Sequence, residues 1–345
     1  MLVASANALN RKQAKIRIMK RYNNLYEQIC TRENLFQAYW KARSGKTKTF
    51  GVQLFEKDLE GNLEALYQEL LSGTYKTPDY SVFTIYEPKE RLIYRLPFKD
   101  RVLHHAIMNV MEGIWVPLFI THTYSCVKGR GIHGALKAIH RDLGDKQGTV
   151  YCLKMDVKKF YPNIDHAILK TIIRKKIKDK KLLNLLDEII DSAPGVPIGN
   201  YLSQFFANLY LSYFDHWLKE DRKVKYYYRY ADDMVLLAPT KEELHGLRKD
   251  IGKYLNVNLR LDLKSNYQVF PVESRGIDFV GYVFRHNYIL MRKSIKKSFC
   301  RKVARLNKRQ IDIVEYKRQI SPWVGWSKHC NSRNLIKKII YDKVL

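Results

Sequence analysis

The chain lacks the features that would place it in a membrane or outside the cell. It has no run of about 18 apolar residues, so no segment is predicted to cross a bilayer as a helix. Residues 1–11 lack the basic start and long apolar stretch of a secretory signal. The five cysteines are far apart and form no Cys-x-x-Cys pair, which disfavours a disulfide framework or a zinc site. We therefore expect reduced thiols and a cytoplasmic protein.

Acidic residues are scarce relative to basic ones. The 345 residues include 62 Lys and Arg against 34 Asp and Glu, a formal charge of +28. This charge would repel itself in the folded state unless an anionic partner neutralised it; nucleic acid is favoured over an anionic membrane surface. At 46% hydrophobic and 12% aromatic, the composition excludes a disordered basic tail. Residues 292–345 are the most basic part, with sixteen Lys or Arg against three acids.

Apolar spacing predicts helices and strands that do not strictly alternate. The predicted helices are 33–40 with Thr31 as N-cap, 55–71 ending at Gly73, 100–114, 166–190 and 204–218. The predicted strands are 80–86, 150–157, 225–230 and 234–238. Mixed elements in this order predict an α+β fold.

Two adjacent carboxylates, Asp232 and Asp233, lie between the last two predicted strands. Apolar runs joined by so short a turn predict a hairpin with both acids at its tip. Like charges this close repel, and burial of the flanking strands increases the cost. A divalent metal would remove the difficulty, because hard cations bind carboxylate oxygens. An exposed acidic turn is the alternative, since Asp is common in turns.

A third carboxylate, Asp156, ends the apolar strand 150–157. It could cap the strand or pair with Lys158 or Lys159. It could also join Asp232 and Asp233 across a sheet, since carboxylates can hold two Mg²⁺ ions about 3.5–4 Å apart for an in-line phosphoryl displacement. A basic chain with acids at strand ends favours a metal-dependent enzyme acting on nucleic acid. Asp165 and His166 are interpreted as a turn and helix N-cap.

Two further segments have weaker patterns. Residues 195–204 place two glycines and a proline before a buried helix, a loop whose backbone can approach a ligand closely; such loops are also common without ligands. Residues 89–101 set basic side chains on an apolar ribbon. They could hold phosphates, with arginine suited to bidentate contact, or form a solvated strand edge.

Together these segments resemble a reverse transcriptase. The resemblance rests on the following stretches: RLIYRLPFKDRVLHHAI from residue 91, LKMDVKKFYPNIDH from 153, GVPIGNYLSQFFANLYL from 195, YRYADDMVLL from 228 and SRGIDFVGYVF from 274. YRYADD matches the family's Tyr-x-Asp-Asp motif. The resemblance implies a right-hand polymerase fold, α+β, with fingers, an antiparallel palm sheet with helices, and a short helical thumb.

The resemblance also implies boundaries for these regions. They are a helical N-terminal extension over 1–79, fingers over 80–150, a palm over 151–290 with a helical fingers insertion near 166–195, and a basic helical thumb over 291–345. We expect no endonuclease, maturase or RNase H segment within this length.

The roles implied by the resemblance fall on named residues. Asp156, Asp232 and Asp233 would be catalytic and bind two Mg²⁺ ions (or Mn²⁺), with the Val157 backbone carbonyl completing a metal shell. Arg91 and Lys89 would contact the triphosphate, and Tyr161 would exclude a ribose 2′-hydroxyl. The pocket loop would contribute further contacts, through Ile198, Gly199 and Gln204. Lys264 is left out of the catalytic set, because its offset from Leu259 and Leu261 does not match a family lysine.

The sequence of the pocket loop indicates which reverse transcriptase subfamily the chain resembles. Group II intron and retron enzymes usually carry Pro-Gln-Gly-x-x-x-Ser-Pro, whereas this chain has Pro197-Ile198-Gly199 and Ser203-Gln204. This pattern is similar to reverse transcriptases of diversity-generating retroelements. It implies error-prone copying at template adenines during mutagenic retrohoming, which diversifies a target gene.

The subfamily resemblance implies partners and a source. The partners are template RNA, the RNA/cDNA hybrid, dNTPs and a basic accessory variability determinant oligomer, without a membrane. The source would be bacterial, archaeal or phage. An antiphage, abortive-infection or retron-like reverse transcriptase is the first alternative. A non-catalytic RNA-binding protein on a polymerase scaffold is the second, and the intact aspartates argue against it.

Overall fold

The computed structural model describes residues 20–86, 90–309 and 311–344. Helices and three antiparallel sheets occur in mixed order, which confirms the α+β class. The helices are α1 Tyr26–Ile29, α2 Arg32–Arg43, α3 Phe50–Glu56, α4 Leu59–Ser72, α5 Phe98–Trp115, α6 Gly131–Asp142, α7 His166–Arg174, α8 Lys180–Asp191, α9 Tyr201–His216, α10 Lys241–Leu259, α11 Val272–Arg275, α12 Lys293–Asn307, α13 Ile313–Ser327 and α14 Arg333–Val344. The strands are β1 Ser81–Ile85, β2 Arg91–Arg95, β3 Tyr151–Asp156, β4 Tyr226–Tyr230, β5 Asp233–Ala238, β6 Gln268–Pro271, β7 Ile277–Phe279, β8 Tyr282–Phe284 and β9 Ile289–Met291.

The central sheet has the strand order β4-β5-β3-β6, and all its pairings are antiparallel. Strands β4 and β5 are buried on both faces, and Tyr226, Tyr227 and Tyr228 of β4 are all buried. One face joins the largest apolar cluster, which the buried helix α9 also lines. The other face packs against α6 and the third sheet. Strand ends of this sheet are therefore fixed by a core on each side.

The prediction of one helix over 55–71 is wrong. The structure has α3 and α4 there, with Asp58 between them. The Asp58 side chain accepts a hydrogen bond from the Gly61 N–H at 3.0 Å, so it caps a new helix. The predicted stop is confirmed, since Gly73 has φ +70° in the left-handed region. Thr31 also caps α2 as predicted, through the Asn34 N–H.

The prediction of one helix over 166–190 is also wrong. It divides into α7 and α8, and Asp179 caps α8 through the Leu182 N–H. The same carboxylate accepts the N–H groups of Leu25 and Tyr26 at 2.7 and 2.9 Å. A contact to a segment more than 150 residues away therefore sets this break. Asp165 caps α7 through the Ile168 N–H, as predicted.

The C-terminal helices α12, α13 and α14 share an apolar cluster of their own. They meet the third sheet, β7-β8-β9, at Gly281, where a Cβ atom would lie 2.3 Å from the Trp326 ring. The Trp326 carbonyl accepts a hydrogen bond from the Tyr282 hydroxyl at 3.1 Å. Trp323 stacks on Phe299 within the helical cluster. Both tryptophans are thus partly buried and pack against apolar clusters.

Among the helices of the described residues, none is long and apolar enough to span a membrane.

Candidate active site

Three aspartates meet at one end of the central sheet. Asp156 ends β3 and lies opposite Asp233, the first residue of β5. Asp233 also pairs with Tyr230 at the end of β4, so only Ala231 and Asp232 form the hairpin turn. Ala231 has φ +54°, a backbone conformation that residues other than glycine rarely adopt. The predicted gathering of Asp156, Asp232 and Asp233 is thus present in the structure.

A buried ion pair lies beneath this turn. The Arg229 guanidinium donates to both carboxylate oxygens of Asp215, and both side chains are fully buried. Its Nη1 also donates to the Ala231 carbonyl at 3.0 Å and to Asn208 Oδ1 at 3.0 Å. Tyr227 donates to Asp215 Oδ1 at 2.7 Å. This network holds the strained turn from below. The sequence analysis missed it, although Arg and Asp in otherwise apolar segments were a signal.

The carboxylates at the turn are destabilised in their charged form. Burial, with the adjacent Asp156, raises the pKa of Asp232 to about 7. Burial is also the main cause that raises the pKa of Asp233 to about 6, against the opposing effect of Lys154. A cation among them would favour ionisation of both.

Two lysines compensate part of this charge. Lys264 pairs with Asp156 Oδ2, and the Lys154 ammonium lies 3.7 Å from Asp233 Oδ2. Lys264 comes close because Leu263 bridges to Val157 beside β3, and the Lys264 N–H donates to the Asp156 carbonyl at 2.9 Å. Sequence spacing had excluded Lys264, so the structure adds it to the site. The position of Lys154 near the site could have been predicted, because it lies two residues before Asp156 and side chains two residues apart lie on the same face of a strand.

The donor set fits a divalent cation. Asp156 Oδ1 and Asp233 Oδ1 are buried and have no hydrogen-bond partner in the described structure. Buried oxygens of this kind normally have a partner, which a cation would supply. In residues 20–86, 90–309 and 311–344, no three His, Cys, Asp or Glu side chains are already arranged so that they could hold a metal ion. The ammonium groups of Lys264 and Lys154 lie against the other oxygens of these two carboxylates. Val157, whose carbonyl was predicted to join, directly follows Asp156.

Tyr161 lies beside the aspartates. It begins a short 3₁₀ turn after β3, and burial raises the pKa of its phenol, with smaller effects of Cys126 and Asp232. Its carbonyl accepts the Val196 N–H at 2.9 Å. A Cβ at Gly195 would lie 2.5 Å from that carbonyl. The predicted sugar-contact residue and the pocket loop are therefore in direct contact.

The pocket loop docks on the β1-β2 hairpin. The Ile198 carbonyl accepts the Tyr94 N–H at 2.8 Å, and a Cβ at Gly199 would lie 2.3 Å from the Tyr94 carbonyl. Gly199 also has φ +127°, so only glycine fits here. Arg91 begins β2 three residues earlier and is exposed. It is not brought into contact with the aspartates, and Lys89 lies outside the described residues.

Gln204 has a partner that the sequence did not reveal. Its Oε1 accepts a hydrogen bond from the Cys126 thiol, which reaches it from the loop before α6. Cys126 has φ +57°, and burial raises the pKa of its thiol. Cys126 is therefore an additional side chain of this pocket.

Residues 85–284, more than half of the chain, match the model of the family described as reverse transcriptase (RNA-dependent DNA polymerase). The chain belongs to the reverse transcriptase family. The predicted enzyme class, RNA-directed DNA polymerase, is thus confirmed; the right-hand arrangement and the boundaries between fingers, palm and thumb stay predictions. Reverse transcriptase domains generally use divalent metal ions, which agrees with the donor set.

Similar proteins include group II intron-type members of this family. The protein YkfC of Escherichia coli is 25% identical over 279 residues, covering 66% of this chain and 72% of YkfC. The group II intron-encoded protein LtrA of Lactococcus lactis is 23% identical over 353 residues, covering 79% of this chain and 58% of LtrA. A telomerase structure from Candida tropicalis with a telomeric RNA fragment has a TM-score of 0.48 at 13% identity, covering 78% of this chain and 56% of that one. The chain thus spans little more than half of LtrA and of the telomerase.

Proposed function

We propose that this reverse transcriptase copies a template-repeat RNA into cDNA, with errors at template adenines, in mutagenic retrohoming that diversifies a target gene. The observation that carries the polymerase step is the meeting of Asp156, Asp232 and Asp233 at one sheet end, with two buried carboxylate oxygens that have no partner among the described residues. The subtype rests on Ile198, which stands where related enzymes carry a polar residue.

The three aspartates would hold two Mg²⁺ ions, with the Val157 carbonyl as a further ligand. Bound metal would lower the pKa of the primer 3′-hydroxyl and screen the triphosphate charge. The chain itself positions the reactants. The Arg229–Asp215 pair fixes the turn, and the buried setting strengthens each charge interaction because the local dielectric is low.

The pocket side chains would select the nucleotide. Tyr161, packed beside Asp232, would lie under the sugar and exclude a 2′-hydroxyl. Ile198 would face the base pair without a polar group, so a contact that discriminates bases is lost there. Gly199 and Gln204 would shape the pocket around the base. Arg91, exposed on β2, would reach the triphosphate when the hairpin closes over it.

The basic C-terminal helices would hold the template–primer duplex. Helix α12 carries six Lys or Arg and no acid. A-form hybrids are bound mainly through shape, phosphate and 2′-hydroxyl contacts. If about six to ten phosphates are neutralised, affinity falls about 10³–10⁵-fold between 50 and 200 mM salt. We infer that the partners are template RNA and, in the cell, a basic accessory protein oligomer.

Primer extension on an RNA template with dNTPs and Mg²⁺ tests the polymerase step. The wild type should extend the primer, and Asp232→Asn should abolish extension while the exposed control Asp221→Asn does not. The accessory protein is supplied in a parallel reaction. Absence of extension in both reactions, or full activity of Asp232→Asn, would refute the proposal.

Sequencing of the products tests the subtype. Errors should concentrate opposite template adenine, and Ile198→Gln should reduce them. Val257→Gln is the matched control, because Val257 is 69% exposed on α10. Errors spread evenly over the four template bases would leave a reverse transcriptase without the diversity-generating role.

A further inference from the structure

A wide basic groove lies on the outer side of the site. Its volume is about 850 Å³, and it runs between α10 and the segment that follows this helix. The charged residues along it are Lys158, Arg248, Lys249, Lys253, Asp262 and Lys264. Five are cationic and one is acidic, so the groove carries an excess of four positive charges.

Most of these cations have no counter-charge. Lys158, Lys249 and Lys253 are exposed, and within the described chain segments none of them forms an ion pair. The Arg248 guanidinium stacks 4.4 Å from the Tyr267 ring centre, and its Nε is buried without a hydrogen-bond partner. Cations gathered in this way repel one another, and an anion in the groove would relieve the repulsion.

The groove shares a wall with the catalytic carboxylates. Leu263 bridges to Val157, and the Lys158 N–H donates to the Asp262 carbonyl at 2.8 Å, so the groove floor is tied to the end of β3. Lys264, at the inner end of the groove, pairs with Asp156. An anion that is released beside the catalytic carboxylates and moves past Lys264 would therefore enter the groove directly.

We propose that this groove binds inorganic pyrophosphate as it leaves the site. The proposal rests on the polymerase function proposed above. In that reaction the primer 3′-oxygen bonds to the α-phosphorus, and the bond from this phosphorus to the oxygen bridging to the β-phosphate breaks. The bridging oxygen keeps the electron pair and leaves as pyrophosphate, while the hydroxyl proton passes to water. A compact, multiply charged anion matches lysines and an arginine that act as charge-assisted donors.

Direct binding tests the groove independently of polymerase activity. Isothermal titration of the full chain with sodium pyrophosphate, first without and then with Mg²⁺, should show one saturable site. Lys249→Ala/Lys253→Ala should weaken binding at least tenfold. Lys178→Ala/Lys180→Ala, which removes two exposed charges elsewhere, should change it less than twofold. No saturable binding by the wild type, or equal loss in both double variants, would overturn the proposal.

Product inhibition connects the groove to the reaction. Pyrophosphate should inhibit primer extension by the wild type, and the inhibition constant should rise at least fivefold in Lys249→Ala/Lys253→Ala relative to the control pair. A short RNA that displaces pyrophosphate and loses affinity only in the groove variant would assign the groove to a nucleic-acid backbone, which overturns the proposal. If the chain extends no primer, the titration still decides whether the groove binds pyrophosphate, so the two failures are distinguishable.

Discussion

The buried pair of Arg229 and Asp215 gives a prediction that separates stability from catalysis. Asp215→Asn keeps the shape of the side chain but removes its charge, which leaves the fully buried guanidinium without a counter-ion. Breaking a buried pair by removing one partner costs about 3–5 kcal/mol. The free energy of unfolding should fall by about that amount, as measured by urea denaturation followed by circular dichroism.

A double variant then distinguishes the two roles of the pair. Arg229→Met/Asp215→Leu replaces both charges with apolar side chains, and such replacements are neutral or stabilise by about 1–4 kcal/mol. Most of the lost stability should therefore return, less the cost of leaving Tyr227 and Asn208 without these partners. Activity should not, because the bond from Arg229 Nη1 to the Ala231 carbonyl, 3.0 Å long, is still missing. A misplacement of about 1 Å at a catalytic group can cost about 10²-fold in rate.

The assay is single-nucleotide primer extension, with kcat and KM measured separately at saturating Mg²⁺. A loss in kcat at unchanged stability supports a positioning role for Arg229. If the double variant recovers both stability and kcat, the pair is only structural. If Asp215→Asn costs less than about 1 kcal/mol, the account of the pair as buried and mutually dependent is refuted.

Three more predictions test separate parts of the structure. Gly199→Ala should raise the KM for dNTPs, because its Cβ would lie 2.3 Å from the Tyr94 carbonyl. Gly246→Ala is the control, because its Cβ would meet nothing within 4 Å. It should stabilise α10 by up to about 1 kcal/mol in thermal unfolding. Tyr161→Ala should admit rNTPs, as seen in the ratio of dNTP to rNTP incorporation; unchanged sugar selection would remove that role. Burial lowers the pKa of His104 to about 3, so below pH 6.5 the unfolded chain binds a proton that the folded chain does not. The contribution of His104 to the free energy of unfolding should fall by about 2 kcal/mol between pH 7 and 5, and the difference between the wild type and His104→Leu in urea unfolding should change by that amount over the same range.

Local patterns were sufficient to predict the strands and the hairpin that carry the aspartates. Strand alternation and a short turn are encoded within a few residues, so the placement of Asp232 and Asp233 followed from the sequence. The helix breaks at Asp58 and Asp179 did not, because a capping carboxylate interrupts an apolar period that otherwise continues. Asp179 also binds a segment more than 150 residues away, a contact that no local window contains.

Lys264 shows the same limit at the active site. Its spacing from Leu259 and Leu261 argued against a role, yet a backbone bridge between Leu263 and Val157 brings its ammonium to Asp156. Sequence separation of 108 residues hides this pairing, while sheet topology makes it necessary. Motif spacing therefore misses a residue whose place in the site depends on a contact between distant segments.

These contacts show where part of the positive charge of the chain lies relative to the site. Lys154 and Lys264 lie against the aspartates, and three lysines that form no ion pair within the described segments follow outward along the groove. A divalent cation bound to the carboxylates would compete with both ammonium groups, because each carboxylate oxygen would then interact with two cations that repel each other. Freed from Asp156, Lys264 would present its charge to an anion at the inner end of the groove. Cation binding at the aspartates would thus increase the affinity of the groove for pyrophosphate, and the titrations with and without Mg²⁺ measure that coupling after correction for the binding of Mg²⁺ to pyrophosphate itself.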